Sequence, residues 1–254
     1  MTVLDDDSTA GSPRALIDQP GPQSLVVADW AAASVQGRRR LRNEDSWKQL
    51  GPVFAVADGM GGLSAGDKAS AIAAHTIANE WLSTEELAPE QVVRRANFEV
   101  LQLAGDTDTS GSTVTAIRIA HDQATVIHVG DSRVYRLRDG HAELLTRDHN
   151  LRSELLAAGI MPGNTKSLGP LRALTSYLGK ADEDLLVDIR SVSLRHGDRL
   201  VLCTDGVFDE MSHSEFASRA GNESAAVAVN RLTALQGSDD ATALIVDIAA
   251  DPAI

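Results

Sequence analysis

Apolar residues occur in short continuous runs that end at turn signals. Val53–Ala57 meets Asp58-Gly59, and Leu200–Cys203 is followed by Thr204 and then Asp205-Gly206. A run of this length that stops at a turn is typical of a buried strand. Similar runs predict further strands at Ser112–Ile119, Thr125–Val129, Val134–Leu137, Glu143–Leu145, Leu185–Val192 and Ala243–Ile248.

Apolar positions at helical spacing predict two long helices between the first strands. They cover Ala65–Leu82 and Pro89–Leu103, where Pro89 occupies a first-turn position that tolerates a missing N–H. Shorter helices are expected at Leu151–Ala158 and twice within Ser214–Leu235. Closely spaced strands favour antiparallel pairing over βαβ units. We therefore expect an α+β fold, an α-β-β-α sandwich of two mainly antiparallel sheets flanked by helices.

The N-terminal segment differs in composition from the rest of the chain. Residues 1–22 are polar, acidic and proline-bearing, which predicts a flexible leader, and residues 23–254 read as one domain. The chain has one cysteine, Cys203, so no intrachain disulfide is possible and a reducing compartment fits. Cys203 lies in an apolar run, which favours a buried strand residue over a nucleophile.

Net charge and hydropathy exclude some classes of protein. The formal net charge of −13 argues against a nucleic-acid binder, because such proteins cluster Lys and Arg to neutralise phosphates. No apolar stretch is long enough to span a bilayer, and no signal peptide is recognisable. We expect a soluble, cytoplasmic monomer without a membrane segment.

Four aspartates stand at the ends of predicted strands. Asp58, Asp131 and Asp205 follow apolar runs, and Asp239 precedes one. An ordinary turn explains any one of them. If the four converge, their mutual repulsion requires cations, and a ligand set made only of oxygen selects Mg²⁺ or Mn²⁺ over zinc.

Glycines and arginines surround the first of these aspartates. The segment Asp58–Gly62 is rich in glycine, which lets backbone carbonyls approach a metal, although a flexible loop would look the same. Upstream, Gly37–Ser46 contains four arginines followed by Glu44 and Asp45. A guanidinium can grip a phosphate with two hydrogen bonds. A solvated turn with surface ion pairs is the open alternative.

Taken in order, these motifs resemble the PPM (type 2C) family of metal-dependent protein serine/threonine phosphatases, in its bacterial form. The resemblance covers about Leu25 to Ile248. It rests on Arg40-x-x-Asn43-Glu44-Asp45, Val56–Gly62, Gly111-Ser112-Thr113, Val129–Arg133, Leu145–His149, Cys203–Gly206 and Asp239–Thr242.

The resemblance implies roles for individual residues. Asp58 would bridge two Mn²⁺ or Mg²⁺ ions, and the Gly59 carbonyl would bind one of them. Asp205 and Asp239 would bind the other ion, and Arg40 would bind the substrate phosphate. Further residues would hold bound waters or complete a possible third site: Glu44, Asp45 and Asp131. The expected reaction is direct attack of a metal-bridging hydroxide on phosphoserine or phosphothreonine, and the expected partners are phosphorylated proteins made by a serine/threonine kinase.

Three departures from the family pattern are visible. Eukaryotic relatives carry a histidine after the Asp-Gly pair, but this chain has Met60, whose thioether donates no proton. His149 is one alternative acid, with a structural role favoured, and a metal-bound water is another. Asp240 replaces the usual asparagine, and either tightens cation binding or points away. The family's flap would be Gly159–Gly179, whose Pro and Gly residues exclude a long helix.

Two other functions stay open on the sequence alone. A pseudophosphatase would keep the fold as a binding module, but it would be marked by lost metal ligands, and all are present here. A small-molecule phosphomonoesterase would use the same metal chemistry on a different substrate.

Overall fold

The protein's structure is a computed structural model, which describes residues 25–61, 65–83, 87–104, 110–161, 169–209, 211–221, 223–234 and 237–251. The predicted leader, residues 1–22, lies outside these ranges. The strands are β1 (Leu25–Val35), β2 (Asp45–Leu50), β3 (Val53–Met60), β4 (Gly111–Ser112), β5 (Val114–Ala120), β6 (Gln123–Val129), β7 (Arg133–Arg138), β8 (His141–Leu144), β9 (Asp188–Ser193), β10 (Arg199–Cys203) and β11 (Ala241–Ala250). The α-helices are α1 (Gly66–Ser83), α2 (Pro89–Ala104), α3 (Leu151–Ala157), α4 (Asp205–Phe208), α5 (His213–Ala220) and α6 (Ala225–Thr233).

The strands form two sheets, and all their pairings are antiparallel. The first sheet has the order β1-β11-β10-β7-β8, and the second has the order β2-β3-β5-β6-β9, with β4 paired to β3. Helix α1 packs on β2 and β3 with α2 beside it, while α6 packs on β1 and β11. The predicted α+β sandwich is confirmed.

Three apolar layers explain why the central strands are continuously apolar in sequence. Phe54 and Val56 of β3 face the layer between the sheets, while Val53 and Ala55 face α1 and α2. The third layer joins β10 and β11 to α5 and α6, and Cys203 is buried there, as predicted. Strands covered on both faces have no solvent side and so lose the polar–apolar alternation.

The antiparallel topology brings several strand ends to one edge of the sandwich. Strands β3 and β6 both pair with β5 and therefore run in the same direction, so their C-terminal ends lie together. Strand β10 ends where its antiparallel partner β11 begins. None of the described helices is long and apolar enough to cross a membrane.

Candidate metal centre

The strand ends meet around a cavity of about 230 Å³. Asp58 lies near the end of β3 and pairs across the strands with Asp45, the first residue of β2. Both sheets contribute carboxylates, because Asp131 follows β6 and Asp205 follows β10. The cavity is lined by Arg40, Glu44, Asp58, Gly59, Met60, Gly61, Thr113, Asp131, Arg172, Leu174, Asp205 and Asp239.

Several carboxylate oxygens at this site are buried and lack a hydrogen-bond partner. They are Oε1 of Glu44, Oδ1 of Asp45 and Oδ1 of Asp205. A buried carboxylate oxygen without a partner is costly, and a hard cation satisfies it. A larger open groove of about 830 Å³ lies beside α5 but is not a comparable candidate site. Its arginines Arg138 and Arg199 are already paired, with Asp198 and Asp247.

The carboxylates raise one another's pKa. Burial is the main cause of the raised pKa of Asp58, and the charges of Asp45, Asp205, Asp131 and Asp239 add to it. Burial likewise raises the pKa of Asp45 and of Asp131 to about 7, and that of Asp205 to about 6. A cation would reverse this effect, because it favours the ionised form of each ligand.

The oxygen-only donor set fits magnesium or manganese. Across the ranges given above, no three acidic, histidine or cysteine side chains already converge into a complete cation site. Carboxylate oxygens are ligands that suit Mg²⁺, which keeps several waters between metal and protein. The side chains at this site therefore fit the Mn²⁺ or Mg²⁺ ions that the sequence predicts.

Arg40 lines the cavity, where its positive charge lies beside the carboxylates. Its Nε donates to Oδ1 of Asp239 at 2.7 Å, and its Nη2 lies 2.5 Å from the same oxygen. Its Nη1 lies 3.4 Å from Oε2 of Glu44. The predicted phosphate-binding arginine is thus beside the predicted metal ligands.

Asp240 points away from the cavity. The backbone N–H of Gly37 donates to its Oδ1, and the N–H of Glu44 donates to its Oδ2, both at 2.8 Å. The side chain is buried, with 2% exposed. Asp240 therefore holds the segment between β1 and β2 in place and leaves Asp239 free to face the cavity.

Gly59 and its neighbours hold the end of β3. A Cβ at Gly59 would lie 2.0 Å from the Gly66 carbonyl oxygen, so only glycine fits. The hydroxyl of Thr113 accepts the Asp58 N–H at 2.9 Å and lies 2.8 Å from the Ser132 hydroxyl. These hydrogen bonds tie the Asp58 backbone to Thr113 and Ser132.

His149 does not line the cavity. It is buried, its Nδ1 accepts the Gly130 N–H at 3.2 Å, and its Nε2 lies 3.2 Å from Oδ2 of Asp188. The geometry therefore favours the structural role over that of a general acid. Met60 does line the cavity.

Two lining residues were missed by the sequence reading. Arg172 and Leu174 come from the predicted flap, where the described part contains only a short 3₁₀ turn, Gly169–Arg172. Arg172 forms an ion pair with Asp209. No motif surrounds Arg172 in the sequence, so only the three-dimensional path of the chain brings it to the cavity. The flap residues 162–168 and the motif residue Gly62 lie outside the described ranges.

A sandwich of this kind, with acidic strand ends around one cavity, defines the class of metal-dependent phosphatases. The family model for protein phosphatase 2C matches residues 36–236. The serine/threonine phosphatase stp of Listeria innocua is 32% identical over 238 residues, covering 84% of this chain and 92% of its own. The serine/threonine protein phosphatase PstP of Mycobacterium tuberculosis is 32% identical over 238 residues, covering 88% of this chain and 45% of its own.

Solved structures agree with the sequence comparison. The PPM Ser-Thr phosphatase MsPP from Mycobacterium smegmatis, in complex with cacodylate, matches with a TM-score of 0.78 and 32% identity, over 87% of this chain and 98% of that one. The catalytic domain of PstP in complex with two manganese ions matches with a TM-score of 0.74 and 29% identity, over 89% and 99%.

This chain belongs to the PPM (type 2C) family of protein serine/threonine phosphatases. The family and the enzyme class predicted from the sequence are confirmed.

Proposed function

We propose that this chain hydrolyses phosphoserine and phosphothreonine in proteins by direct attack of water, with Mn²⁺ or Mg²⁺ bound at the acidic cavity. The observation that carries the proposal is that Glu44 and Asp205, which line the same cavity as Arg40, each have a buried carboxylate oxygen without a hydrogen-bond partner. A phosphate dianion needs positive charge on several sides, and this site combines cation ligands with a guanidinium.

In this proposal, two ions are held by Asp58, the Gly59 carbonyl, Asp205 and Asp239. Further donors act through bound waters or at a third ion: Glu44, Asp45 and Asp131. When bound, such ions supply a nucleophilic water at neutral pH and offset negative charge at phosphorus. The manganese-bound structure of the PstP catalytic domain supports two ions of this kind.

Arg40 binds and orients the substrate phosphate. Its Nε and Nη2 are engaged by Asp239 and its Nη1 donates to Glu44 at 3.4 Å, so one hydrogen on each of Nη1 and Nη2 is left for phosphate oxygens. A cation held by Asp239 would compete with Arg40 for that carboxylate and would leave more of the guanidinium to the substrate. Arg40 therefore couples metal loading to phosphate binding.

No protein nucleophile takes part. Cys203 is fully buried, and burial raises the pKa of its thiol above the ordinary value, so it carries no reactive thiolate. Met60 donates no proton and His149 does not line the cavity. We therefore assign protonation of the leaving serine or threonine oxygen to a water in the cavity.

The substrates are phosphoproteins, which a serine/threonine kinase must supply. The names of the relatives support this class of substrate. We also propose that the protein acts in the cytoplasm as a monomer, consistent with its single, buried, reduced cysteine. The pseudophosphatase alternative is disfavoured because every predicted ligand side chain is at or beside the cavity.

The direct test compares phosphoserine, phosphothreonine and phosphotyrosine peptides with small phosphate monoesters in the presence of Mn²⁺. The proposal expects the phosphoserine and phosphothreonine peptides to have the highest kcat/KM. Hydrolysis of small esters without peptide hydrolysis would identify a phosphomonoesterase. Phosphopeptide binding without turnover of any substrate would identify a pseudophosphatase.

A further inference from the structure

The arginine loop, residues 38–42, is anchored to the segment that carries Asp239. The N–H of Arg38 donates to the Gly237 carbonyl at 3.0 Å, and the N–H of Arg39 donates to the Ser238 carbonyl at 3.4 Å. At the base of the loop, a Cβ on Gly37 would lie 2.3 Å from the Asp239 carbonyl carbon, so the two segments are in direct contact. The loop therefore has one defined position relative to the cavity.

Successive residues of this loop face different environments. Arg40 lines the cavity, whereas Leu41, the next residue, is 86% exposed. Arg39 is also exposed, and its side chain has no hydrogen-bonded or ionic partner among the residues that the structure describes. Arg42 is half exposed and pairs with Asp67 at 3.2 Å. A guanidinium without a described partner, next to the half-buried Arg40, is available to a bound molecule.

The charge of the loop contrasts with that of the chain. The whole chain has 23 basic and 36 acidic residues, yet four arginines stand within five positions here: Arg38, Arg39, Arg40 and Arg42. Local positive charge beside a cavity attracts negative groups and disfavours positive ones. The Arg39 side chain makes no hydrogen bond or ion pair within the described structure, so its charge is not used to hold the loop in place.

A peptide whose phosphate is bound at Arg40 would carry its flanking residues past the arginine loop. An extended peptide advances about 3.3–3.6 Å per residue, so residues two or three places from a bound phosphoserine lie roughly 7–11 Å from it. Consecutive Cα atoms are 3.8 Å apart, and Arg39 is the direct neighbour of Arg40. Its long side chain can therefore meet a side chain that flanks the phosphorylated residue.

We propose that the arginine loop, chiefly Arg39, selects protein substrates with acidic residues close to the phosphorylated residue. This inference rests on the proposed function, since it names the substrate class of the same site. Leu41, which follows Arg40 and is 86% exposed, offers the peptide an apolar contact. The contribution is that of exposed ion pairs, which are individually modest and are screened by salt.

The test uses two phosphothreonine peptides that differ only in flanking residues, glutamate in one and lysine in the other, with para-nitrophenyl phosphate as a third substrate. We expect the wild type to prefer the glutamate peptide in kcat/KM by about threefold to tenfold at low salt. Arg39→Glu should reverse the order of the peptides and leave para-nitrophenyl phosphate turnover unchanged. Arg195→Glu, at an exposed arginine on the β9–β10 connection, is the matched control and should keep the wild-type order.

The outcomes separate this inference from the proposed function. If both peptides are hydrolysed equally by wild type and by Arg39→Glu, the inference is wrong and the phosphatase assignment stands. If para-nitrophenyl phosphate is hydrolysed but neither peptide is, the proposed protein substrates are wrong, and the inference fails with them. A reversal by Arg195→Glu as well would show a general effect of net charge and would also overturn the inference.

Discussion

At the scale of single residues, the proposed role of Arg40 is to link the acidic cluster to the substrate. Its guanidinium contacts Asp239 and lies within reach of Glu44, so it balances carboxylates as well as facing the cavity. A charge-assisted hydrogen bond to phosphate is stronger than a neutral one. Removal of Arg40 should therefore weaken ground-state binding of any phosphate monoester.

We expect Arg40→Ala to raise KM for para-nitrophenyl phosphate by about 10-fold to 100-fold, because such bonds contribute about 1.5–3 kcal/mol. Steady-state kinetics in saturating Mn²⁺ measures the change. Arg42→Ala removes an exposed arginine that pairs with Asp67 and does not line the cavity, and its KM should stay close to that of the wild type. An unchanged KM for Arg40→Ala would remove Arg40 from phosphate binding.

Asp240 shows how an acid beside a predicted metal ligand can act through the backbone. An aspartate accepts hydrogen bonds with both oxygens, whereas an asparagine presents one oxygen and one N–H group. With the N–H groups of Gly37 and Glu44 both pointing at this side chain, asparagine would leave one of them unsatisfied.

Asp240→Asn should therefore lower the free energy of unfolding by about 1–3 kcal/mol in urea denaturation. Asp139→Asn is the control, since Asp139 is exposed in a turn with φ of 51°, a conformation that asparagine tolerates. Equal stability of Asp240→Asn and the wild type would mean that the two backbone bonds contribute nothing net.

At the scale of elements, a buried histidine ties β6 to its surroundings. His128 Nδ1 lies 2.8 Å from the Thr115 hydroxyl on β5, and Nε2 lies 3.0 Å from the Arg147 carbonyl. Only Nε2–H can donate to that carbonyl, so a neutral ring accepts from Thr115 at Nδ1. Burial lowers the pKa of His128 to about 4, with a further lowering from His149, while Asp148 and Asp188 oppose it.

Because His128 is buried, the free energy of unfolding should fall at acidic pH. His128 has a pKa near 6.5 in the unfolded chain and about 4 in the folded chain. The stabilisation of the fold by neutral His128 is therefore complete above pH 6.5 and is lost as the pH falls towards 4. Between pH 7 and pH 4, the wild type should lose about 3 kcal/mol more unfolding free energy than His128→Gln. Identical pH dependence of the two proteins in urea denaturation would contradict this account, and exposed His141→Gln should follow the wild type.

The central strands could be read from the sequence, as could the edge strands β8 and β9, but the edge strands β1 and β2 could not. Strands β3, β10 and β11 are continuous apolar runs because they are covered on both faces. Strands β1 and β2 were not predicted, since they lie at sheet edges where exposed residues interrupt the pattern. Strand β9 begins at Asp188 rather than at the predicted Leu185, since pairing with β6 starts only there.

The candidate site, too, could be predicted from the sequence only in part. Its acidic residues stand beside turn glycines at the ends of apolar runs, so a local pattern marks Asp58 and Asp205. The partners of Asp240 and the position of Arg172 depend on contacts between distant segments. Local patterns carry no information on such contacts.

At the scale of the whole molecule, the two sheets bring like charges together at one edge of the sandwich. Their repulsion opposes folding until cations bind, so the site is a source of instability in the metal-free protein. Proteins commonly sacrifice some stability at functional sites in this way.

Metal and stability should therefore be coupled. Mn²⁺ at about 100 times its Kd should stabilise the wild type by about 2.7 kcal/mol and raise Tm by about 5–10 °C, reversibly with EDTA. Asp58→Asn should show a higher Tm than the wild type without metal and a smaller gain with Mn²⁺. A variant that is less stable without metal yet gains as much from Mn²⁺ would contradict electrostatic repulsion at this site.

The central claim is that cations held by Asp58 and Asp239 carry the hydrolysis. The most direct measurement is Mn²⁺-dependent hydrolysis of para-nitrophenyl phosphate by the wild type, Asp58→Ala and Asp239→Ala, with folding of each checked by circular dichroism. We expect turnover by the wild type that disappears with EDTA, and a fall of about 100-fold or more in kcat/KM in both variants. Equal rates for the three proteins would contradict the account.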